Sequence, residues 1–145
     1  MSLEANKAVV RRYLEEIMNH SDFSVADEII APNYVNHSAG SSYGGIGTGR
    51  DSFVQGLRAV RTAFPDWHVT IEEVLADGEF VMDRFTIDAI HSGSVNGVAP
   101  TGRRIVATLG MHMWRLADGK LVEGWYVSDA LPVVFAALTP APSSS

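Results

Sequence analysis

Ile105-Val-Ala-Thr-Leu-Gly-Met-His-Met-Trp-Arg-Leu116, Ala117-Asp-Gly-Lys120 and Leu121-Val-Glu-Gly-Trp-Tyr-Val127 follow one another without interruption, and this stretch decides the fold. It reads as two strands joined by a tight turn. Asp118-Gly119 between two apolar runs is a strong hairpin signal, because the glycine accepts the positive φ such turns demand. Leu109, Met111 and Met113 alternate with His112, Trp114 and Leu116, so both faces of the first strand are apolar. Leu121, Trp125 and Val127 alternate with Val122 and Tyr126 in the same way. A sheet covered on both sides needs helices on one face and a different covering on the other. Two registers stay open. A two-residue loop sets Leu116 against Leu121 and puts Trp125 on the face of His112. A three-residue loop closed by a glycine bulge sets His112 opposite Gly124, with Tyr126 diagonal to it. A slip of one residue carries a whole strand's side chains across the sheet.

Outward from the hairpin, the chain gives helices first and strands second. Ala8, Val9, Val10, Tyr13, Leu14, Ile17 and Met18 recur at three- and four-residue steps, which predicts an amphipathic helix over 4–19. Ser24 and Asp27 suggest a capped short helix to Ile30, closed by Pro32. Tyr34 to His37 reads as a brief edge strand. A Ser/Gly-rich loop follows over 38–50, without the Gly-Lys-Ser/Thr ending of a phosphate cradle. Asp51 then caps a helix to Phe64, which Pro65 ends. From Trp67 the period becomes two. Asp77-Gly78 marks a turn before a long strand over 80–90, whose faces are Val81, Asp83, Phe85, Ile87, Ala89 and Phe80, Met82, Arg84, Thr86. Pro132 opens a last helical segment to Leu138. This order predicts an α+β domain over 1–138, three helices packed on one curved, mostly antiparallel sheet, with residues 139–145 as a disordered tail.

Eleven basic and seventeen acidic residues leave a net charge of −6, which argues against nucleic acid as a partner. At 145 residues one domain buries roughly 70% of its unfolded surface. There is no cysteine, hence no disulfide or thiolate chemistry. No apolar run is long enough to span a membrane and no secretory core opens the chain, so a cytoplasmic protein is expected. Chemistry must come from residues facing the space between helices and sheet. Asp83, among Val81, Phe85 and Ile87, is a candidate acid or base; the plain alternatives are that this face points outward or that Asp83 pairs with an arginine. His112 in the middle of an apolar strand needs a hydrogen-bond partner, whether its role is structural or catalytic. The spacing of His37, His91 and His112 matches no metal-ligand pattern, and no Gly-x-Ser-x-Gly elbow is present. Neither a metal nor an organic cofactor is expected.

Asn6-Lys-Ala-Val-Val-Arg-Arg12, Ala31-Pro-Asn-Tyr-Val-Asn-His37, Ala63-Phe-Pro-Asp66, His91-Ser-Gly93, Pro100-Thr-Gly-Arg103 and Asp118-Gly-Lys-Leu-Val-Glu123 occur in this order and at this spacing. Together they resemble the SnoaL-like polyketide (ester) cyclases over nearly the whole chain. The resemblance implies the nuclear transport factor 2-like fold, a cone of helices over a strongly bent sheet with a central hydrophobic pocket. It also implies dimerisation through the outer sheet face, with Met111, Met113, Trp125 and Val127 as contacts. Cyclases of the family close a ring by an intramolecular aldol reaction without cofactor, using a pocket aspartate as acid/base and a strand histidine. Aligned back from Asp118-Gly119-Lys120, His112 falls on the histidine position. The family's Glu-His-Trp-Asp run is here Glu123-Gly124-Trp125-Tyr126, so Tyr126 stands at the aspartate position and Gly124 at the adjoining histidine. The resemblance favours the bulged register, since it needs His112 and residue 126 in one pocket. His112, Tyr126 and Asp83 are thus the catalytic candidates, with His37, His91, Trp114 and Asp129 as substrate-binding candidates. The expected ligand is a hydrophobic keto-ester or polyketide-like small molecule. Three readings stay open: a cofactor-independent cyclase or isomerase with Tyr126 as donor to an enolate oxygen, a ligand-binding domain without catalysis, or a purely structural or dimerisation domain, which a filled pocket would indicate.

Overall fold

A computed structural model describes residues 2–37 and 47–140. Ser2 accepts a hydrogen bond from the Ala5 amide at 3.1 Å and starts α1 (Leu3–Arg12), which continues as a π-helical stretch over Tyr13–Asn19. The stripe expected from the sequence is the buried one: Val10, Tyr13, Leu14 and Ile17 are withdrawn from solvent. The short second helix differs from expectation. A 3-10 turn over Phe23–Val25 leads into a single α-turn, α2 (Ala26–Ile29), and β1 (Ile30–Asn36) begins at once. Pro32 therefore lies inside a strand rather than closing a helix. It has no N–H for the ladder, and the pairing of β1 with the final strand slips there, from Ile30↔Leu121 to Val35↔Glu123, while Pro32 and Asn33 face solvent.

The Ser/Gly-rich loop lies outside the described residues over 38–46. Its last part, Gly47–Thr48, forms the two-residue β2 against β1. Helix α3 (Arg50–Ala63) starts after Gly49 without a side-chain cap, so Asp51 is in the first turn and not the cap. Then come β3 (His68–Asp77), β4 (Phe80–Ile90), β5 (Arg104–Ala117), β6 (Lys120–Ser128) and α4 (Leu131–Leu138). The sheet order is β2-β1-β6-β5-β4-β3, antiparallel except where β1 runs parallel to β6. This is the α+β arrangement the element order predicts. Residues 141–145 of the expected tail lie outside the described residues. Among the described residues no helix is long and apolar enough to cross a membrane.

Bulges give the sheet its bend, since each inserts a residue and sharpens local twist. One falls near Glu72 and another near Ala107, whose φ is +49° and whose amide donates to Asp88 Oδ1 at 3.2 Å. The third resolves the hairpin register. The turn is the two-residue form: Ala117 pairs with Lys120, Leu116 with Leu121, and Asp118 and Gly119 both have positive φ. The glycine-bulged loop with His112 opposite Gly124 that the family resemblance favours is absent; a different bulge, within β6, shifts the register the other way and sets Trp114 opposite Gly124. Arg115 pairs with Glu123, so Val122 is the extra residue. Beyond it His112 sits directly opposite Tyr126, and Met113 opposite Trp125.

Candidate active site

Asp83, His112 and Tyr126 form one cross-strand row on the inner face of β4, β5 and β6. Asp83 is the anchor. Its Oδ1 accepts the His112 amide N–H at 3.2 Å and lies 3.0 Å from His112 Nδ1, while Oδ2 accepts the Trp114 indole N–H at 2.8 Å. Its side chain is wholly withdrawn from water, and that of His112 is 6% exposed. A carboxylate out of water persists only where donors replace its hydration. The amide and the indole can only donate, so the carboxyl group is an acceptor here. That assigns the shared proton to Nδ1 and leaves Nε2 as the imidazole's acceptor. No arginine reaches Asp83; its partners are His112 and Trp114.

The imidazole is fixed by stacking as well. Phe85, Trp114 and Tyr126 lie at ring-centroid distances of 5.2, 4.5 and 4.7 Å from it, and Tyr13 meets it edge-on at 5.8 Å. His112 and Tyr126 line a central cavity with Trp114 and Gly124 from the strands. Tyr13, Met18, Leu57 and Val60 line it from the helical side, with Tyr34 and Asn36 from β1. Burial pushes the Tyr13 phenol far above its ordinary value, and the nearby Tyr34, Asp83 and Tyr126 push it further. Burial raises Tyr34 likewise. Both rings therefore keep their O–H protons, as potential donors. The enclosed space is tight. Its free volume is about 20 Å³. That is room for roughly one water molecule.

Gly124 explains part of this tightness. A methyl group there would come within 2.1 Å of Tyr34 Oη and 2.9 Å of the Trp114 ring. The space that a histidine side chain fills at this position in the family motif is taken here by Tyr34 and Trp114.

The other candidates are dispersed. Trp114 is in the pocket wall and holds Asp83. His37 is not in the pocket: Asn36 takes the inner side opposite Gly124, so the next residue turns outward. On the outer face His37 stacks on Trp125 at 4.8 Å and its Nε2 lies 2.8 Å from Glu123 Oε2. His91 is 2% exposed and ties the loop after β4, with Nδ1 accepting the Thr101 amide N–H at 3.3 Å and the ring against Phe64. Asp129 is exposed and contributes its backbone amide to Leu109 O; Ser128 Oγ, not Asp129, receives the Ala130 amide at the start of α4. His91 lies in a neighbourhood of its own, whereas His37 and His112 both line an open hollow together with Trp125 and Tyr126. Tyr13, Tyr34, Asn36, Phe53 and Trp67 are wall residues that pattern reasoning passed over. The two-residue period of β1 was the available signal for Tyr34 and Asn36. Tyr13 and Phe53 carried none, because a pocket wall and a core stripe share the same helical spacing.

The sequence matches the SnoaL-like polyketide cyclase family over residues 8–135. No curated protein is a match for it. Among solved structures, IdmH from Streptomyces antibioticus, a candidate polyketide cyclase, is 29% identical, with a TM-score of 0.73 over 91% of this chain and 96% of that one. AclR from Streptomyces galilaeus, a candidate hydroxylase, is 27% identical, with a TM-score of 0.74 over 92% and 95%. A SnoaL-like protein from Jannaschia sp. CCS1 shares the fold at 22% identity and a TM-score of 0.79, over 95% and 94%. With its motifs in order and a family match from Ala8 to Phe135, the chain belongs to the SnoaL-like polyketide cyclase family.

Proposed function

We propose that this protein is a cofactor-independent acid/base enzyme that removes a proton from the carbon beside a carbonyl group in a flat, apolar keto compound. The observation that carries this reading is the buried Asp83–His112 pair, which holds Nδ1 protonated and leaves Nε2 to accept a proton. In the proposed step the carbon-bound proton passes to Nε2, and the C–H electron pair moves into an enolate. Asp83 stabilises the imidazolium that forms, as a carboxylate does behind a general-base histidine. Tyr126, stacked beside His112, donates its phenol hydrogen bond to the enolate oxygen. The enolate then attacks a second carbonyl of the same molecule, closing a ring as the new alkoxide takes the proton from Nε2, or is reprotonated by the same imidazolium at another carbon, giving an isomer. The tight cavity favours a compact substrate or one that displaces Met18, the most flexible side chain of the wall. The working unit in this proposal is a homodimer joined through the outer sheet face.

Exchange of the α-proton of ethyl 2-methylacetoacetate in D2O, followed by NMR, tests the chemistry without requiring the native substrate. Wild-type protein should accelerate exchange, His112→Gln should lower it by about 100-fold or more, and Tyr126→Phe by at least about tenfold. Wild-type exchange that survives both substitutions overturns the assignment. A second reading, a ligand-binding domain without catalysis, is favoured by one observation: Tyr126 stands where the cyclases carry their acid/base aspartate. Saturable ligand binding with no exchange would select it.

A further inference from the structure

We infer that the indole N–H of Trp67 is a ligand-recognising donor on the helical wall of the cavity, and that it selects ligands with an acceptor oxygen remote from the reacting carbonyl. This rests on the acid/base reading for which end of the ligand reacts, and on geometry for the rest. Trp67 is 5% exposed, and its Nε1 is buried without a hydrogen-bond acceptor. A buried donor left unsatisfied costs about 1–3 kcal/mol, and native proteins keep few of them. The contrast with Trp114 is direct, since that indole, equally buried, is spent on Asp83.

In the free protein no solvent reaches the Nε1 of Trp67, so an acceptor meets Trp67 only when a wall side chain such as Met18 moves. Trp67 lines the central cavity, and it also lines a neighbouring hollow bounded by Ile17, Phe23 and Arg61. Met18, Leu57 and Val60 are walls of both spaces, so the two are separated by side chains and not by backbone. The surrounding wall is apolar, and the Arg61 guanidinium is committed to carbonyl oxygens: Met18 and Trp67 at 2.8 Å, and Asn19 at 3.3 Å. The same contacts hold Trp67 in place, together with its amide bonded to Phe64 O at 3.0 Å. A fixed donor in an apolar wall is the arrangement that discriminates best, because a ligand lacking the matching acceptor leaves the donor buried and unpaired. The ligand class is therefore a flat keto compound with a second ketone, ether or quinone oxygen at its far end.

The experiment compares 6-methoxy-1-tetralone with 6-ethyl-1-tetralone, two probes of the same shape that differ in one acceptor oxygen. Binding is followed in 15N-labelled full-length protein through the indole N–H signals of its three tryptophans, with Trp67 assigned by Trp67→Phe. The methoxy probe should bind wild type about fivefold more tightly than the ethyl probe, and the Trp67 indole proton should move downfield with the methoxy probe alone. In Trp67→Phe the preference should disappear while both probes still bind. If that variant does not fold, Trp67 is assigned instead by the NOEs of its indole to the Phe64 ring, and the wild-type shift decides. Equal affinity for the two probes with an unmoved Trp67 signal overturns the inference and assigns the N–H to the face of Phe64, which lies edge-on at 5.7 Å. Binding of neither probe overturns it too. Absent α-proton exchange with the methoxy preference intact counts against the acid/base reading and leaves Trp67's role standing.

Discussion

Trp114 and Trp125 sit on neighbouring strands of one hairpin, the first 1% exposed and bonded to a carboxylate, the second 37% exposed and stacked on a histidine. The inner face around Trp114 is interlocked: Asp83, His112 and Tyr126 each constrain the next. The outer face is a loose row in which Met82 pairs with Met113 and Met113 with Trp125, all three exposed. An open hollow of about 380 Å³ lies there, lined by Met82, Met111, Met113, Val127 and Leu131 beside Trp125, and it reaches His37, His112 and Tyr126. Aromatic content does not separate the two faces, because each carries a tryptophan and a histidine, although Met82, Met111 and Met113 all belong to the outer one. What separates them is register and partners. On the inner face every polar atom of Asp83 has a donor, so burial is tolerated; on the outer face, among the described residues, large apolar side chains stay exposed.

The comparison breaks most sharply at Gly124. Alanine there would drive its methyl group into Tyr34 and Trp114, each about 1% exposed and so without room to retreat. Overpacking a tight core costs about 1–3 kcal/mol and occasionally more. Gly124→Ala should lose about 3 kcal/mol in urea unfolding and disturb the Trp114 indole signal through its bond to Asp83. A loss under about 0.5 kcal/mol would show that the inner face is as yielding as the outer.

The outer face should respond in the opposite way. Val127 is 64% exposed, and its replacement by lysine removes no internal contact of consequence, so monomer stability should change by no more than about 0.5 kcal/mol. If two copies meet through this face, as we propose, Val127→Lys places two charges in an apolar interface. Sedimentation equilibrium at micromolar concentration should then give a dimer for wild type and a monomer for the variant. A monomeric wild type would leave the exposed methionines without their proposed covering.

The same contrast explains what could be read from the residues. The turn was legible because Asp118-Gly119 is a chemical requirement of positive φ, and the inward strand face of Asp83 was legible from its apolar neighbours. The bulge at Val122 was not. A β-branched residue mid-strand carries no mark of being the extra one, yet that single insertion puts His112 opposite Tyr126. His37 was misplaced for a related reason: a histidine next to a pocket-lining asparagine must face away from the pocket. Pro32 was misread because a proline ends helices more often than it sits in a strand, and the slipped pairing that tolerates it is a tertiary feature. The cavity wall was invisible for a deeper cause. Leu57, Val60 and Trp67 satisfy the core pattern whether they face other side chains or a ligand.

The smallest expected effect sharpens the comparison from the outer side, where the polar contacts are few and wet. Glu123 accepts from Arg115 Nε at 2.6 Å and lies 2.8 Å from His37 Nε2. The hydrogen bond with His37, then that with Arg115, holds the Glu123 carboxyl below its ordinary value, against a smaller opposing effect of burial. A carboxyl group with a depressed folded-state value contributes stability above its unfolded value, near ~4.3, and loses that contribution as pH falls through the folded one. Wild type and Glu123→Gln should therefore differ in Tm at pH 6, wild type being higher, and the gap should narrow as pH falls through and below about 4. Because the side chains of His37, Arg115 and Glu123 are a quarter to a third exposed, added salt at pH 6 should shrink the gap as well. A gap that is constant from pH 6 to pH 3 would mean that the carboxylate's charge is irrelevant and that His37 is held by its stack on Trp125 alone. Thermal unfolding of the two proteins across that range, with and without salt, separates the cases.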